Sequence, residues 1–140
     1  MADDVEPSFE HDALTEAVIG CVFRVANGLG AGFLEKVYEN ALIYELRKAG
    51  LRAQQQMMVS VHYEGQNVGD YIADIIVEDR LLLELKACKG LEDVHLAQCL
   101  NYLKATGVHV GLLFNYGRPR LQWKRVVHGL KEQRAADLPG

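Results

Sequence analysis

Apolar residues recur at helical spacing in two consecutive stretches near the start of the chain. From Leu14 the apolar positions follow a period of 3.6 residues, with Asp12 or Thr15 available as the N-cap. Residues 27–32 contain three glycines and are expected to end this helix. A second helix is predicted from about Phe33 to Ala49. The pattern therefore predicts two helices joined by a short turn.

The period of the apolar positions changes from 3.6 to 2 in the middle of the chain. Three alternating stretches within residues 57–87 are separated by turn-prone residues, which predicts an antiparallel three-stranded meander. A helix is expected over about 91–105, then a buried strand over 108–114 and a last short strand near 121–127. A strand–helix–strand connection of this length favours a parallel crossover. The predicted fold class is α/β, a mixed sheet flanked by helices.

Length and composition are those of an ordinary globular domain. The chain has 140 residues, of which 49% are hydrophobic and 24% charged, so we expect a single domain over 1–140 with frayed ends at 1–11 and 131–140. We expect no membrane span, because no apolar run approaches the roughly 20 residues required. The acidic start does not resemble a signal peptide. Three cysteines without paired spacing favour a reducing compartment, so a cytoplasmic location is expected.

Charge is unevenly distributed along the chain. The formal net charge of −4 argues against a protein that coats nucleic acid by bulk electrostatics. It is compatible with an enzyme that brings a phosphate to a bound metal ion, since the ion supplies local positive charge. A basic strip near the end is a candidate for phosphate contacts, with a solvated strand edge as the alternative. The strip consists of Arg118, Arg120, Lys124 and Arg125.

Two acidic residues are predicted to face each other across the second and third strands of the meander. If residues 78–80 form a three-residue turn, the register sets Asp74 opposite Glu84, with Cβ atoms roughly 5 Å apart. A two-residue turn would shift the register by one residue and break this pairing. The same face also carries apolar residues, so a helix is expected to cover part of it. These residues are Ile72, Ile76 and Leu82.

Facing carboxylates repel each other unless a cation lies between them. A hard divalent ion such as Mg²⁺ takes one or two protein carboxylates and completes its shell with water and phosphate oxygens. Asp74 and Glu84 are therefore the predicted ligands of Mg²⁺ or Mn²⁺. Lys86 follows on the same strand face and would act on the attacking water or on the phosphate. The alternative for Glu-x-Lys between leucines is an ordinary half-solvated strand.

These residues also resemble a known nuclease motif. An Asp followed ten residues later by Glu-x-Lys is similar to the core motif of the PD-(D/E)XK nuclease superfamily, with Ala73 in place of its proline. Gly32, Glu35 and Tyr38 have the spacing of the signature of the bacterial GxxExxY family within that superfamily. The resemblance extends from about Leu14 to Val127, and it implies that the predicted α/β fold is of restriction-endonuclease type.

The resemblance implies a nuclease that hydrolyses phosphodiester bonds of DNA or RNA with a divalent metal. It also implies that Glu35 is a further acidic catalytic residue and that Gln98 and Tyr102 line the pocket. Tyr38, on the helical face of Glu35, is assigned to the same pocket. One alternative is a nuclease-like domain that binds nucleic acid or a partner protein without cutting, and another is a small structural or dimerisation module. Oligomeric state is open, although a homodimer would suit cleavage of two strands.

A zinc site is a further alternative for part of the chain. His95 and Cys99 are four residues apart on the predicted third helix, with Cys88 nearby. Three ligands without a Cys-x-x-Cys pair fit a zinc site poorly. The divalent-metal nuclease is therefore the favoured interpretation.

Overall fold

The structure, a computed structural model, describes residues 12–129, so the predicted frayed ends at 1–11 and 131–140 lie outside the described residues. No helix in this described range is long and apolar enough to cross a membrane. Residues 12–129 form three helices and five strands. In chain order these are α1 Ala13–Leu29, α2 Glu35–Lys48, β1 Ala53–Tyr63, β2 Gln66–Val77, β3 Leu81–Lys86, α3 Asp93–Thr106, β4 Val110–Asn115 and β5 Gln122–Val127.

The five strands form one mixed sheet in the order β1-β2-β3-β4-β5. The pairs β1–β2, β2–β3 and β4–β5 are antiparallel, whereas β3 and β4, which α3 connects, are parallel. This arrangement confirms the predicted meander and the predicted parallel crossover. The first strand is longer than predicted, because it already begins at Ala53.

The two faces of the sheet carry separate apolar cores. Helices α1 and α2 cover one face, where the regularly spaced apolar residues of both helices pack against inward-pointing residues of the central strands. Helix α3 covers the other face. The first core includes Val18, Cys21, Val22, Tyr38, Leu42, Leu46, Ile75, Val77, Leu83, Leu85 and Phe114. The second includes Val59, Ala73, Ile76, Leu82, Cys99 and Leu103.

Strand β2 does not keep the strict alternation predicted for it. Ile76 and Ala73 both lie in the second core, although they are three positions apart, and Ile75 lies in the first. Alternation would place residues an odd number of positions apart on opposite faces, so the strand changes face between Ala73 and Ile75. Ile72 was predicted to share the face of Ile76, and this is wrong, because its side chain is 44% exposed outside both cores.

Candidate active site

The turn between β2 and β3 has the three residues that the register argument required. Val77 pairs with Leu81, and the backbone N–H of Arg80 donates to the carbonyl of Val77 over 3.0 Å. Glu78 and Asp79 both adopt positive φ, at 54° each, which closes the turn tightly. The predicted three-residue turn is confirmed, and it sets the register of the two strands that carry the acidic residues.

The ladder between β2 and β3 stops at the level of the two acidic residues. Its last pair on this side is Ile75 with Leu83, so Asp74 and Glu84 are the next residues outward. At this level, hydrogen bonds from the backbone to side-chain carboxylates replace the backbone ladder. The backbone N–H of Asp74 donates to Glu84 Oε2 over 3.1 Å, and the backbone N–H of Leu85 donates to Asp74 Oδ2 over 2.8 Å. Each carboxylate is therefore held by the strand of the other.

Burial and repulsion from neighbouring carboxylates both raise the pKa values of this pair. Glu84 is only 5% exposed, and burial, followed by the negative charge of Asp74, raises its pKa to about 8. Burial also raises the pKa of Asp74 to about 6, with a further contribution from Glu35, although the hydrogen bond from Leu85 opposes it. The pair is consequently hard to ionise fully without a compensating positive charge.

Helix α2 brings a third carboxylate to the same place. Glu35 is its first residue and lies at the exposed rim, where a negative charge also suits the helix N-terminus. Removal of solvent raises the pKa of Glu35, whereas the charge of Lys86 and the backbone of Ala87 lower it. The structure therefore places the first turn of α2 beside the end of β3.

Lys86 lies among these acidic residues without being paired to one of them. It is half-buried, and within residues 12–129 it forms no direct ion pair. Its positive charge lowers the pKa of Glu35, of Asp74 and of Glu84. The ammonium group interacts electrostatically with three carboxylates without forming an ion pair to any of them within the described range. It can therefore still donate a hydrogen bond to a phosphate or a water molecule.

Helix α3 supplies an aromatic wall on the other side. Tyr102 stacks on Tyr71 with ring centroids 3.8 Å apart, and the hydroxyl of Tyr71 donates to the carbonyl of Tyr102. Burial, then the charges of Glu84 and Asp74, raise the pKa of Tyr102, so its hydroxyl lies near the acidic pair. Gln98, one turn earlier on α3, is exposed. Tyr71 was not predicted as a site residue. The strict alternation assumed for β2 placed Ile72 and Ile76 on the site face, and Tyr71 therefore on the opposite face.

Tyr38 has a different environment from the one assigned to it. Its ring is fully buried in the first core and stacks on Tyr116 with centroids 4.5 Å apart. Its hydroxyl donates to the carbonyl of Gly30 and accepts from the backbone N–H of Phe33. These contacts hold the loop before α2, so the geometry indicates that Tyr38 positions the helix of Glu35 and does not line the pocket.

Sequence reasoning also missed a buried carboxylate on α2. Glu39 is 2% exposed and accepts hydrogen bonds from the side-chain amides of Gln55 and Gln56. The available signal was its spacing, because Glu39 lies three and seven residues before the core positions Leu42 and Leu46. A carboxylate on the core face of a helix requires hydrogen-bond partners.

The donor set of the acidic pair fits a hard divalent cation. Asp74 Oδ1 and Glu84 Oε1 receive no hydrogen bond from any residue of the described range. No group of three or more His, Cys, Asp or Glu within residues 12–129 is arranged to hold a metal ion. A site here would thus rest on two carboxylates, and Mg²⁺ accepts such a site because water and phosphate oxygens complete its shell.

The zinc alternative is wrong. Nδ1 of His95 accepts a hydrogen bond from the backbone N–H of Glu92 in a capping box at the start of α3. The thiol of Cys88 donates to the carbonyl of Gly90, and Cys99 is buried in the second core. The three proposed ligands therefore have separate structural roles.

The four basic residues predicted as one strip are divided by the structure. Arg118 and Arg120 lie in the exposed loop after β4, while Lys124 and Arg125 are neighbours on β5 and so point to opposite faces. Arg125 is half-buried. Because Lys86 pairs with Asn115 across the parallel strands, the loop with Arg118 and Arg120 follows β4 at the same sheet edge as the acidic site.

Comparisons with known proteins agree with this fold. A sequence model of the PD-(D/E)XK nuclease superfamily matches residues 12–126. The crystal structure of SSO0001 is similar, with 13% identity and a TM-score of 0.52, covering 92% of this chain and 86% of that one. The alkaline exonuclease LHK-Exo from Laribacter hongkongensis is similar with 11% identity and a TM-score of 0.51, covering 90% and 75%. No curated protein matches the chain significantly in sequence.

Proposed function

The chain belongs to the PD-(D/E)XK nuclease superfamily, and we propose that it hydrolyses phosphodiester bonds of DNA or RNA in the presence of Mg²⁺ or Mn²⁺. The observation that carries this proposal is the pair of Asp74 and Glu84. Each carboxylate accepts a hydrogen bond from the strand of the other, and its second oxygen receives none from residues 12–129. We further assign the chain to the GxxExxY family, on Gly32, Glu35 and Tyr38.

In this proposal Asp74 and Glu84 hold the metal ion. The bound ion would lower the pKa of a coordinated water and stabilise the charge that develops on the phosphate. Lys86 would donate a hydrogen bond to that water or to a phosphate oxygen, because its ammonium is not engaged in a direct ion pair within residues 12–129. Glu35, at the rim, would orient water, and Tyr102 would contact the substrate together with Gln98.

The basic residues of the β4–β5 region are proposed as contacts to the nucleic-acid backbone. Arg118 and Arg120 are the better placed, since their loop follows β4 at the sheet edge of the acidic site, and Lys124 is exposed nearby on β5. Arg125 was predicted with them and is the weaker candidate because it is half-buried. If the two loop arginines contact phosphates, their joint replacement by alanine should reduce the salt dependence of binding by about one unit per contact.

Cell location and assembly are also proposals. Three free cysteines within the described range suit a reducing compartment, which supports a cytoplasmic protein. We propose a homodimer in solution, with β1 as the contact.

A nuclease assay tests the proposal. The full chain should cleave single- or double-stranded DNA or RNA with Mn²⁺ or Mg²⁺, and chelation should stop the reaction. Replacement of Asp74, Glu84 or Lys86 by alanine should each lower the rate by roughly two orders of magnitude while the melting transition stays cooperative, the scale seen when one transition-state group is removed. Linear and circular substrates should be compared, because one solved protein of similar fold is an alkaline exonuclease.

The competing function is a nuclease-like domain that binds nucleic acid or a partner without cutting. Wild-type protein that binds Mn²⁺ and nucleic acid but cleaves none of these substrates would favour it. Retention of cleavage in the Glu84→Ala variant would contradict the assignment of the site itself.

A further inference from the structure

A buried acidic residue outside the proposed ligand set contacts the strand beside the site. Glu39 Oε2 accepts from the Nε2 of Gln55 over 2.6 Å, and both oxygens accept from the Nε2 of Gln56 over 3.0 Å. Lys36 adds an ion pair at 3.2 Å from the exposed side. Burying a carboxylate is costly unless it is well bonded, so an apolar residue would serve the core better at this position.

The strand at this point has an unusual backbone. Gln56 lies inside β1, not in a turn, yet it has a φ of 57°. Residues other than glycine rarely adopt this left-handed conformation without a supporting contact. Its side-chain amide donates to both carboxylate oxygens of Glu39. The contact with α2 therefore holds a kink that the strand alone would not favour.

The kink coincides with the level of the acidic pair. Pairing between β1 and β2 passes from Gln55–Ile75 to Met57–Ala73, so Gln56 and Asp74 are not paired. The ladder between β2 and β3 ends at the same level. On one side of the kink β1 contributes Ala53 to the first core, and on the other side Met57 packs against the second. Asp74 is thus released from the ladders on both sides.

We infer that Glu39 is a positioning residue of the metal site. Through Gln56 it holds the left-handed kink of β1, which leaves Asp74 free to turn its carboxylate toward Leu85 and Glu84. The inference rests on the proposed function, because it assumes that Asp74 and Glu84 bind a metal ion. It adds a residue on α2 that acts on metal affinity without being a ligand.

The test measures Mn²⁺ binding to the full chain by electron paramagnetic resonance of the free ion. Glu39→Ala should weaken binding by about tenfold or more, the usual effect of losing an outer contact of a metal site. Adding Gln56→Gly to that variant should restore most of the affinity, because glycine adopts positive φ without a supporting contact. Glu39→Gln should retain most of it too, since its amide oxygen still accepts from Gln56.

A matched control separates rescue of the site from general stabilisation. Glu64 also has positive φ, at 49°, but lies in the exposed turn of the β1–β2 hairpin. Glu64→Gly in the Glu39→Ala background should relieve similar strain and leave Mn²⁺ affinity low. The Cα and Cβ chemical shifts of Gln56 supply a readout without metal, because they should move toward strand values in Glu39→Ala.

The outcomes separate this inference from the proposed function. Failure of the wild type to bind Mn²⁺, or wild-type affinity in Asp74→Asn, would overturn both. Normal binding in Glu39→Ala, or no rescue by Gln56→Gly, would overturn the positioning role alone. A loss in Glu39→Gln as large as in Glu39→Ala would show that the charge of Glu39 acts on the ion directly, which also overturns it.

Discussion

At the scale of single residues, Asp74 and Glu84 couple the stability of the protein to pH. Both have a raised pKa in the folded state, about 6 for Asp74 and about 8 for Glu84, because burial, and after it repulsion from neighbouring carboxylates, disfavours their charged forms. In the unfolded chain both would ionise near pH 4. Between about pH 4 and pH 8, the folded protein therefore retains protons that the unfolded chain has already released. Stability from this source is complete below about pH 4 and is lost as pH rises toward 8.

The metal-free protein should accordingly melt at a lower temperature at pH 8 than at pH 5.5, by several degrees, since one pKa unit corresponds to about 1.4 kcal/mol. Mn²⁺ should reverse the loss at pH 8, because it replaces the protons as the compensating positive charge. Thermal unfolding with and without chelator measures both effects. The Asp74→Asn/Glu84→Gln variant is the control, and its profile should be flatter. An identical pH dependence in wild type and variant would contradict the coupling.

At the scale of elements, the segment after β3 is held by the end of β4. Asn115 is fully buried, and its Nδ2 donates to the carbonyl of Cys88 and to Gln122 Oε1, while its Oδ1 accepts from the backbone N–H groups of Cys88 and Gly117. A Cβ on Gly117 would lie 2.4 Å from the backbone N and O of Cys88, so glycine is required there. Two chain segments therefore meet closely just beyond Lys86.

Asn115→Asp should destabilise the protein although it preserves the shape of the side chain. Its carboxylate would face the carbonyl of Cys88 and Gln122 Oε1 without a proton to donate. Buried polar groups left without partners cost about 1–3 kcal/mol each. Urea unfolding at neutral pH measures this, with Asn101→Asp on the exposed side of α3 as the matched control. A change below about 0.5 kcal/mol, the range of ordinary surface substitutions, would contradict the role of Asn115.

At the scale of the whole molecule, β1 is one of the two outer strands of the sheet, and it carries no charged residue that would oppose edge pairing. Ala53–Tyr63 contains no Lys, Arg, Asp, Glu or Pro, and Met58 on it is 67% exposed. Outer strands of monomeric proteins usually carry such residues against edge pairing. Antiparallel pairing of two copies about Val59 would oppose Met57 to Val61 and bring no like charges together.

The homodimer proposed for this chain should therefore depend on β1. Met58→Lys should shift the protein to the monomer, because two lysines would face each other diagonally across the paired strands. Sedimentation equilibrium at several protein concentrations measures the assembly. Tyr44→Lys is the control, since Tyr44 is 63% exposed on α2 and is not part of the strand. A monomeric wild type at high micromolar concentration would contradict the dimer.

The sequence by itself determined the order of helices and strands and the register of the acidic pair. Periods of 3.6 and 2 identify helices and strands because they follow from local backbone geometry alone. The turn over residues 78–80 is local too, and it sets Asp74 and Glu84 at the same level. Both of these were predictable, since no contact between distant parts of the chain is needed to establish them.

Only the tertiary structure decided which side chains complete the site. The separation of the basic residues follows from their places in the β4–β5 loop and on both faces of β5. The change of face in β2, which brings Tyr71 to the site, lies beside the kink at Gln56. Its partner Glu39 lies 17 residues earlier on another element. Alternation predicts faces only while the backbone is regular, and a kink held by a distant carboxylate leaves no periodic signal in the strand. Tyr38 was predicted to line the pocket but lies in the core, where it stacks on Tyr116. This contact was not predictable from local patterns, because Tyr116 is distant in sequence.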